Sequence, residues 1–246
     1  MIQIDNLRKQ FGEKVAVDIA EFVINDGEML GIVGNNGAGK TTFFRLILDL
    51  LKADNGEVAL TFPLPDATDT TAKTINPAQS EDWKHYTAAY IDEGFLVDFL
   101  TPDEYFSFVA RISGISEADM EERLQPYKTF MAEELLGQKK LIRDLSAGNK
   151  QKVGIVAALV SKPALLILDE PFNFLDPTSQ HQLKHLLVAY HEESHATILI
   201  SSHNIDHTTE ISSRIALMEN GCIIQQIDNR EKQAEPVLKS YFNVGD

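Results

Sequence analysis

Residues 34–42 read GNNGAGKTT, which matches the spacing G-x-x-x-x-G-K-[ST]. Gly34, Gly37 and Gly39 leave the backbone free to turn its N–H groups inward around a diphosphate. Lys40 is placed to reach the β- and γ-phosphates, and the Thr41 hydroxyl to ligate Mg2+. With this chain's share of Gly, Lys, Ser and Thr, chance supplies on the order of 0.005 such matches. A phosphate loop alone serves ATPases, GTPases, kinases and motors alike. No [NT]-K-x-D stretch occurs, so the usual guanine-reading residues are missing.

Two more stretches carry groups suited to the same chemistry. LLILDE, residues 165–170, is an apolar run that ends in two carboxylates, where ligands sit in parallel sheets. Asp169 is placed to hold the metal, and Glu170, expected on the other face of the strand end, to polarise a water in line with the γ-phosphate. ILISSHN, residues 198–204, ends in His203, whose imidazole can donate to the γ-phosphate and orient that water. A further stretch, DLSAGNKQK at 144–152, reads as a helix start with a Ser-Ala-Gly turn, which offers N–H groups to a second anion. Lys139, Lys140, Arg143, Lys150 and Lys152 surround it against Asp144, a basic island that a solvated helix face would explain and that would also suit a polyphosphate.

The elements that must position these groups alternate. Strand-rich residues open the chain, and MLGIVG reads as a buried strand leading into the phosphate loop and the helix TTFFRLILDLL. A turn at 54–57 leads to the strand VALTF, and residues 63–82 read as an exposed loop that has room for a short hairpin. Residues 95–143 read as helical, with a helix start at Thr101-Pro102-Asp103-Glu104. Strand ALLILDE, a helix from Pro177, strand ATILISSH, a helix from Asn204, strand RIALMEN and CIIQQI complete the order. Strands alternating with helices imply an α/β core with a mainly parallel sheet.

Bulk properties narrow the partners. The 246 residues carry a net charge of −15, which argues against gripping a nucleic-acid backbone. Residues 91–136 alone hold 11 acids against 3 bases. One cysteine allows no internal disulfide, and no run approaches 18 apolar residues, so direct membrane insertion is not expected. His181 and His185 stand i, i+4 on a helix, a spacing zinc could bridge, but they read as a surface helix without a clear third ligand. Phe95, Phe99, Tyr105, Phe106 and Phe108 are either core or the lining of a cleft.

The order GNNGAGKTT, DLSAGNKQK, LLILDEPFNFLDP, LISSH resembles the nucleotide-binding subunit of ATP-binding-cassette (ABC) transporters over essentially the whole chain. The resemblance implies a phosphate-loop NTPase core with an antiparallel β subdomain at the N-terminus and an inserted α-helical subdomain. It divides the single domain 1–246 into core residues 1–92 and 160–246, with a helical part and signature helix over 93–159. It implies ATP and Mg2+ as cofactors, with Asn35, Asn36, Gly37, Ala38, Gly39, Lys40, Thr41 and Thr42 around the phosphates. Phe11 matches the aromatic that stacks on adenine, and Glu93 the position that is usually a γ-phosphate-sensing glutamine, where a carboxylate oxygen would ligate the metal. In this family two cassettes pack head to tail, so Ser146 and Gly148 would bind a neighbour's ATP, and Asp176 belongs to the loop that connects the two sites. The signature, usually LSGGQ, departs here at Ala147 and Asn149. The function implied is ATP hydrolysis that drives transport, with export favoured, through a separately encoded membrane permease. The location implied is the cytoplasmic face of the membrane, held there by that partner. The rival is a non-transport cassette ATPase of the repair or translation kind, which usually carries a long coiled coil or two cassettes per chain.

Overall fold

The computed structural model describes residues 1–63, 72–131 and 135–242. Strands β1 (Ile2–Phe11), β2 (Lys14–Ile24) and β3 (Met29–Val33) lead to helix α1 (Lys40–Ile47), then to β4 (Asn55–Pro63), β5 (Ala72–Ile75) and β6 (Thr87–Tyr90). Helices α2 (Pro102–Ile112), α3 (Glu117–Leu124), α4 (Lys128–Met131) and α5 (Ala147–Val160) follow. The chain then alternates through β7 (Leu165–Leu168), α6 (Pro177–Ser194), β8 (Thr197–Ser202), α7 (Ile205–Ile211), β9 (Arg214–Glu219), β10 (Cys222–Asp228) and α8 (Ala234–Tyr241).

The strands form two sheets, ordered β2-β1-β4-β5 and β10-β9-β3-β8-β7-β6. The first is antiparallel; in the second only β9–β10 is antiparallel. Burial explains the difference. Every residue of β3, β7 and β8 is buried, as both-faced strands require, whereas β1 alternates and buries Ile2, Ile4 and Leu7. Helix α1 lies between the sheets: Phe43 and Phe44 share one core with Ile4 and Phe22 of the first sheet and Ile32 and Ile167 of the second. The other face of the second sheet packs on α5 and α6, and this core continues into α2 through Phe106.

Several boundaries differ from the sequence reading. Helix α1 stops at Ile47, short of the predicted helix, because Asp49 turns left-handed at φ 49°. Strand β4 begins at Asn55, inside the stretch read as a turn, and β5 pairs antiparallel with β4 in the segment read as a loop with room for a short hairpin. The rest of that loop, 64–71, lies outside the described residues. The predicted helical run from 95 is broken: α2 has the expected start, with Thr101 and Glu104 in a reciprocal cap, but 96–101 and 135–141 are not helical. The five aromatics divide. Phe106 is core, Tyr105 is half-buried, and Phe95, Phe99 and Phe108 are exposed. Helix α8 was not foreseen; its buried Ala234 and Leu238 stand i, i+4 against Ile205 and Leu217.

Gly154, in the middle of α5, lets that helix approach β6. A Cβ there would lie 2.1 Å from the Tyr90 ring. Alanine in a helix interior normally gains about 1 kcal/mol over glycine. Here we expect Gly154→Ala to lose about 1–3 kcal/mol, because overpacking outweighs propensity. Urea denaturation measures it; an unchanged or raised midpoint would show that Tyr90 yields without cost.

Candidate active site

The phosphate loop joins β3 to α1 and is pressed from two sides. A Cβ on Gly34 would lie 2.3 Å from the Met218 carbonyl of β9, and one on Gly39 2.4 Å from the Ala16 carbonyl of β2. Gly39, at φ 112°, also needs the left-handed backbone that starts α1. The Gly221 N–H of the β9–β10 turn donates to the Ala38 carbonyl at 2.8 Å. Asn35, Asn36 and Gly37 face solvent, and Thr42 is half-buried.

Lys40 is the buried charge of the loop, 6% exposed. Its ammonium donates to the carbonyls of Gly34 at 2.7 Å and Asn35 at 3.4 Å, and stands 3.3 Å from Glu170 Oε1. The Thr41 hydroxyl donates to Asp169 Oδ2, and the Ser201 hydroxyl, at the end of β8, to Asp169 Oδ1. Burial pushes the Asp169 carboxyl up, and the charge of Glu170 adds to this, against the bonds from Ser201 and Thr41. A buried carboxylate beside a hydroxyl is an oxygen set suited to Mg2+ once phosphate oxygens complete it. Among the described residues no group of three or more His, Cys, Asp or Glu forms a metal cage, so substrate oxygens and water would have to supply the rest.

Glu170 does not point away on the other face of the strand, as predicted. Strand β7 ends at Leu168, and Glu170 takes a left-handed backbone at φ 47°, so strand alternation no longer governs its direction. Its Oε2 accepts from His203 Nδ1 at 2.8 Å and from the His203 backbone N–H at 3.2 Å. Its own N–H donates to Ser201 Oγ at 2.8 Å. Ser201 thus ties the two acids together. Sequence reading passed over it, although it lies two residues before His203 in ILISSHN.

A cleft of about 280 Å³ opens beside these groups, lined among others by Thr41, Asp92, Glu93, Asp169 and Glu170. Glu93 pairs with Lys150 of α5 at 3.0 Å, is 58% exposed, and forms no hydrogen bond with Thr41 or Asp169 among the described residues. Asp92 pairs with Arg45 of α1 at 2.9 Å. The signature stretch sends Ala147 and Gln151 into this cleft, and the buried Gln151 donates to the Glu170 carbonyl at 3.1 Å.

Ser146 caps α5 by accepting from the Asn149 N–H at 3.3 Å, and forms no hydrogen bond with Lys40, Thr41, Asp169 or Glu170 among the described residues. Ala147 is the first helical residue of α5. Gly148 is packed under the next loop, where a Cβ would meet the Phe174 carbonyl at 2.6 Å. Asp176 starts α6, accepting from the Ser179 N–H at 3.0 Å and the Ser179 hydroxyl at 2.6 Å. The hydroxyl bond, more than any other contact, holds its carboxyl below the usual range.

Phe11, at the end of β1, is 51% exposed, with the Lys9 ammonium 5.5 Å from its ring centroid. Lys14, also unremarked in the sequence, brings its ammonium to 3.9 Å from the Cβ position of Gly37 and makes no salt bridge among the described residues. It places a second cation over the outer side of the loop.

A family model described as "ABC transporter" matches residues 17–173. The bacitracin transport ATP-binding protein BcrA of Enterococcus faecalis is 30% identical over 247 residues, covering 100% of this chain and 75% of that protein. The methionine import ATP-binding protein MetN 1 of Bacillus cereus is 31% identical, covering 92% of this chain and 64% of that protein. A solved structure described as the ATP binding subunit of an ABC transporter superposes with a TM-score of 0.79 at 27% identity, covering 97% of this chain and 94% of that one.

Proposed function

The chain belongs to the ABC transporter family as an ATP-binding cassette, and we propose that it hydrolyses ATP to power export through a separate membrane permease. The observation that carries the hydrolytic reading is the cluster around one phosphate loop: Lys40 on Glu170, Glu170 on His203, and Thr41 on Asp169. Lys40, held by the carbonyls of Gly34 and Asn35, exchanges Glu170 for the β- and γ-phosphate oxygens when ATP enters. Glu170 is then free to accept a proton from a water in line with the γ-phosphorus. His203 holds the carboxylate from behind and turns its ring toward the leaving phosphate. Thr41 and Asp169 would hold Mg2+, which would supply positive charge to offset the charge of the phosphate oxygens. Phe11 presents an exposed ring to adenine, and Asn35, Asn36, Gly37, Ala38, Gly39 and Thr42 line the phosphates.

No helix among the described residues is long and apolar enough to cross a membrane, and the reading places the permease on a separate chain. A groove of about 730 Å³ beside edge strand β6 is lined by Phe95, Tyr105, Ile112 and Ala157, with Phe95 and Ile112 exposed. A short amphipathic helix of the permease fits it, apolar face inward. Export rests on Glu93 and on the similarity to a bacitracin transport cassette, which spans 100% of this chain and 75% of that protein; a methionine import cassette is as similar in identity.

The site is completed by a second copy, whose Ser146 and Gly148 face the γ-phosphate. Mixing Ser146→Arg chains with Lys40→Ala chains tests this. Each variant alone makes dimers with both composite sites damaged. The mixed dimer joins the two lesions in one site and leaves the other intact, so it should regain up to about half of the ATPase activity per dimer. If Ser146 acts within its own chain, mixing restores nothing.

A further inference from the structure

Outside the phosphate-loop site, helix α6 carries His181 and His185 on successive turns of its exposed face. Their Nε2 atoms lie 2.9 Å apart, with ring centroids at 4.3 Å and an interplanar angle of 79°. Two imidazole nitrogens at this distance share one proton: one ring donates and the other offers its lone pair. A metal ion that replaces the shared proton gains both lone pairs at once.

We propose that His181 and His185 chelate a nitrogen-preferring divalent transition metal, Cu(II) most tightly. The geometry selects the metal. Metal–imidazole bonds of about 2.0–2.1 Å set at a right angle separate the two nitrogens by about 2.9 Å, whereas a tetrahedral angle needs about 3.3 Å. The observed 2.9 Å is therefore the right-angle bite of tetragonal Cu(II) or Ni(II). Zn(II) requires the rings to open, and the general order of affinity also puts Cu(II) first. No third His, Cys, Asp or Glu joins the pair among the described residues, so water fills the positions that face solvent. On the protein side lies a pocket of about 330 Å³, walled by Pro126, Phe130, Leu186 and Ala189. That apolar wall limits water on one side of the ion and favours retention of both rings. Binding requires the donor ring to change tautomer: its proton leaves Nε2 and is taken up on Nδ1 of the same ring through solvent, so both rings stay neutral ligands and no electron transfer is involved.

The untagged full-length chain is titrated with CuSO4 in nucleotide-free buffer, with glycine as a weak competitor, and followed by electron paramagnetic resonance. The first equivalent should give an axial signal split by two nitrogens. His181→Gln and His185→Gln should each lose the two-nitrogen pattern and bind at least about 10-fold more weakly. Both variants should retain Mg-ATP turnover, which separates loss of the site from loss of the fold. A two-nitrogen signal that persists in either variant, or a wild type that binds no better than the double variant, overturns the proposal.

Discussion

Glu170→Gln should bind ATP and turn it over at least ~100-fold more slowly, the size of a general-base contribution. Glutamine keeps the length of the side chain and an oxygen for His203, which now donates to Glu170 at 2.8 Å. It loses the negative charge that can take a proton from water. The same change removes the carboxylate 3.3 Å from Lys40 and the charge that helps to push Asp169 up. Both losses favour the incoming phosphates, so ATP affinity should hold or rise while hydrolysis stalls. The stalled nucleotide should accumulate a dimer at about twice the monomer mass on size-exclusion chromatography. Full activity in this variant would move the search for the base to His203 or Glu93.

Lys40→Ala should abolish turnover and remove the stabilisation that ATP confers. The ammonium is buried among two carbonyls and one carboxylate, whose other oxygen accepts from the His203 ring. Its replacement leaves the β- and γ-phosphates facing Asp169 and Glu170 without a buried counter-charge. At an ATP concentration of 100 times the dissociation constant, a ligand that binds only the folded state stabilises it by about 2.7 kcal/mol. Chemical denaturation with and without Mg-ATP should show this gain in the wild type and essentially none in Lys40→Ala. A variant still stabilised by ATP to the same degree would place the phosphates elsewhere, with Lys14 an alternative cation over the loop.

Much of the site was legible because its parts obey local rules. GNNGAGKTT needs only a strand before it and a helix after it, and MLGIVG and TTFFRLI supply both. LLILDE and ILISSH announce themselves as buried strands with polar ends, so the gathering of Asp169, Glu170 and His203 at the strand ends beside the phosphate loop follows from a parallel sheet. The start of α2 at Thr101 and of α6 at Pro177 was written in cap residues whose bonds are local.

The set of chemical groups and the α/β order that gathers them were readable along the chain, because hydrophobic runs, glycine loops and caps act over a few residues. Tertiary structure alone decided the rest. The left-handed turn at Glu170, which aims its carboxylate at Lys40, depends on Ser201, which arrives from a strand 31 residues later. The need for glycine at 34 and 39 comes from the carbonyls of Met218 and Ala16, which belong to other strands. Glu93 is drawn to Lys150 and Gln151 to the Glu170 carbonyl because α5 packs across the cleft, a contact set by Gly154 against Tyr90. These are long-range contacts, and their geometry is fixed by close packing between elements that no local pattern relates.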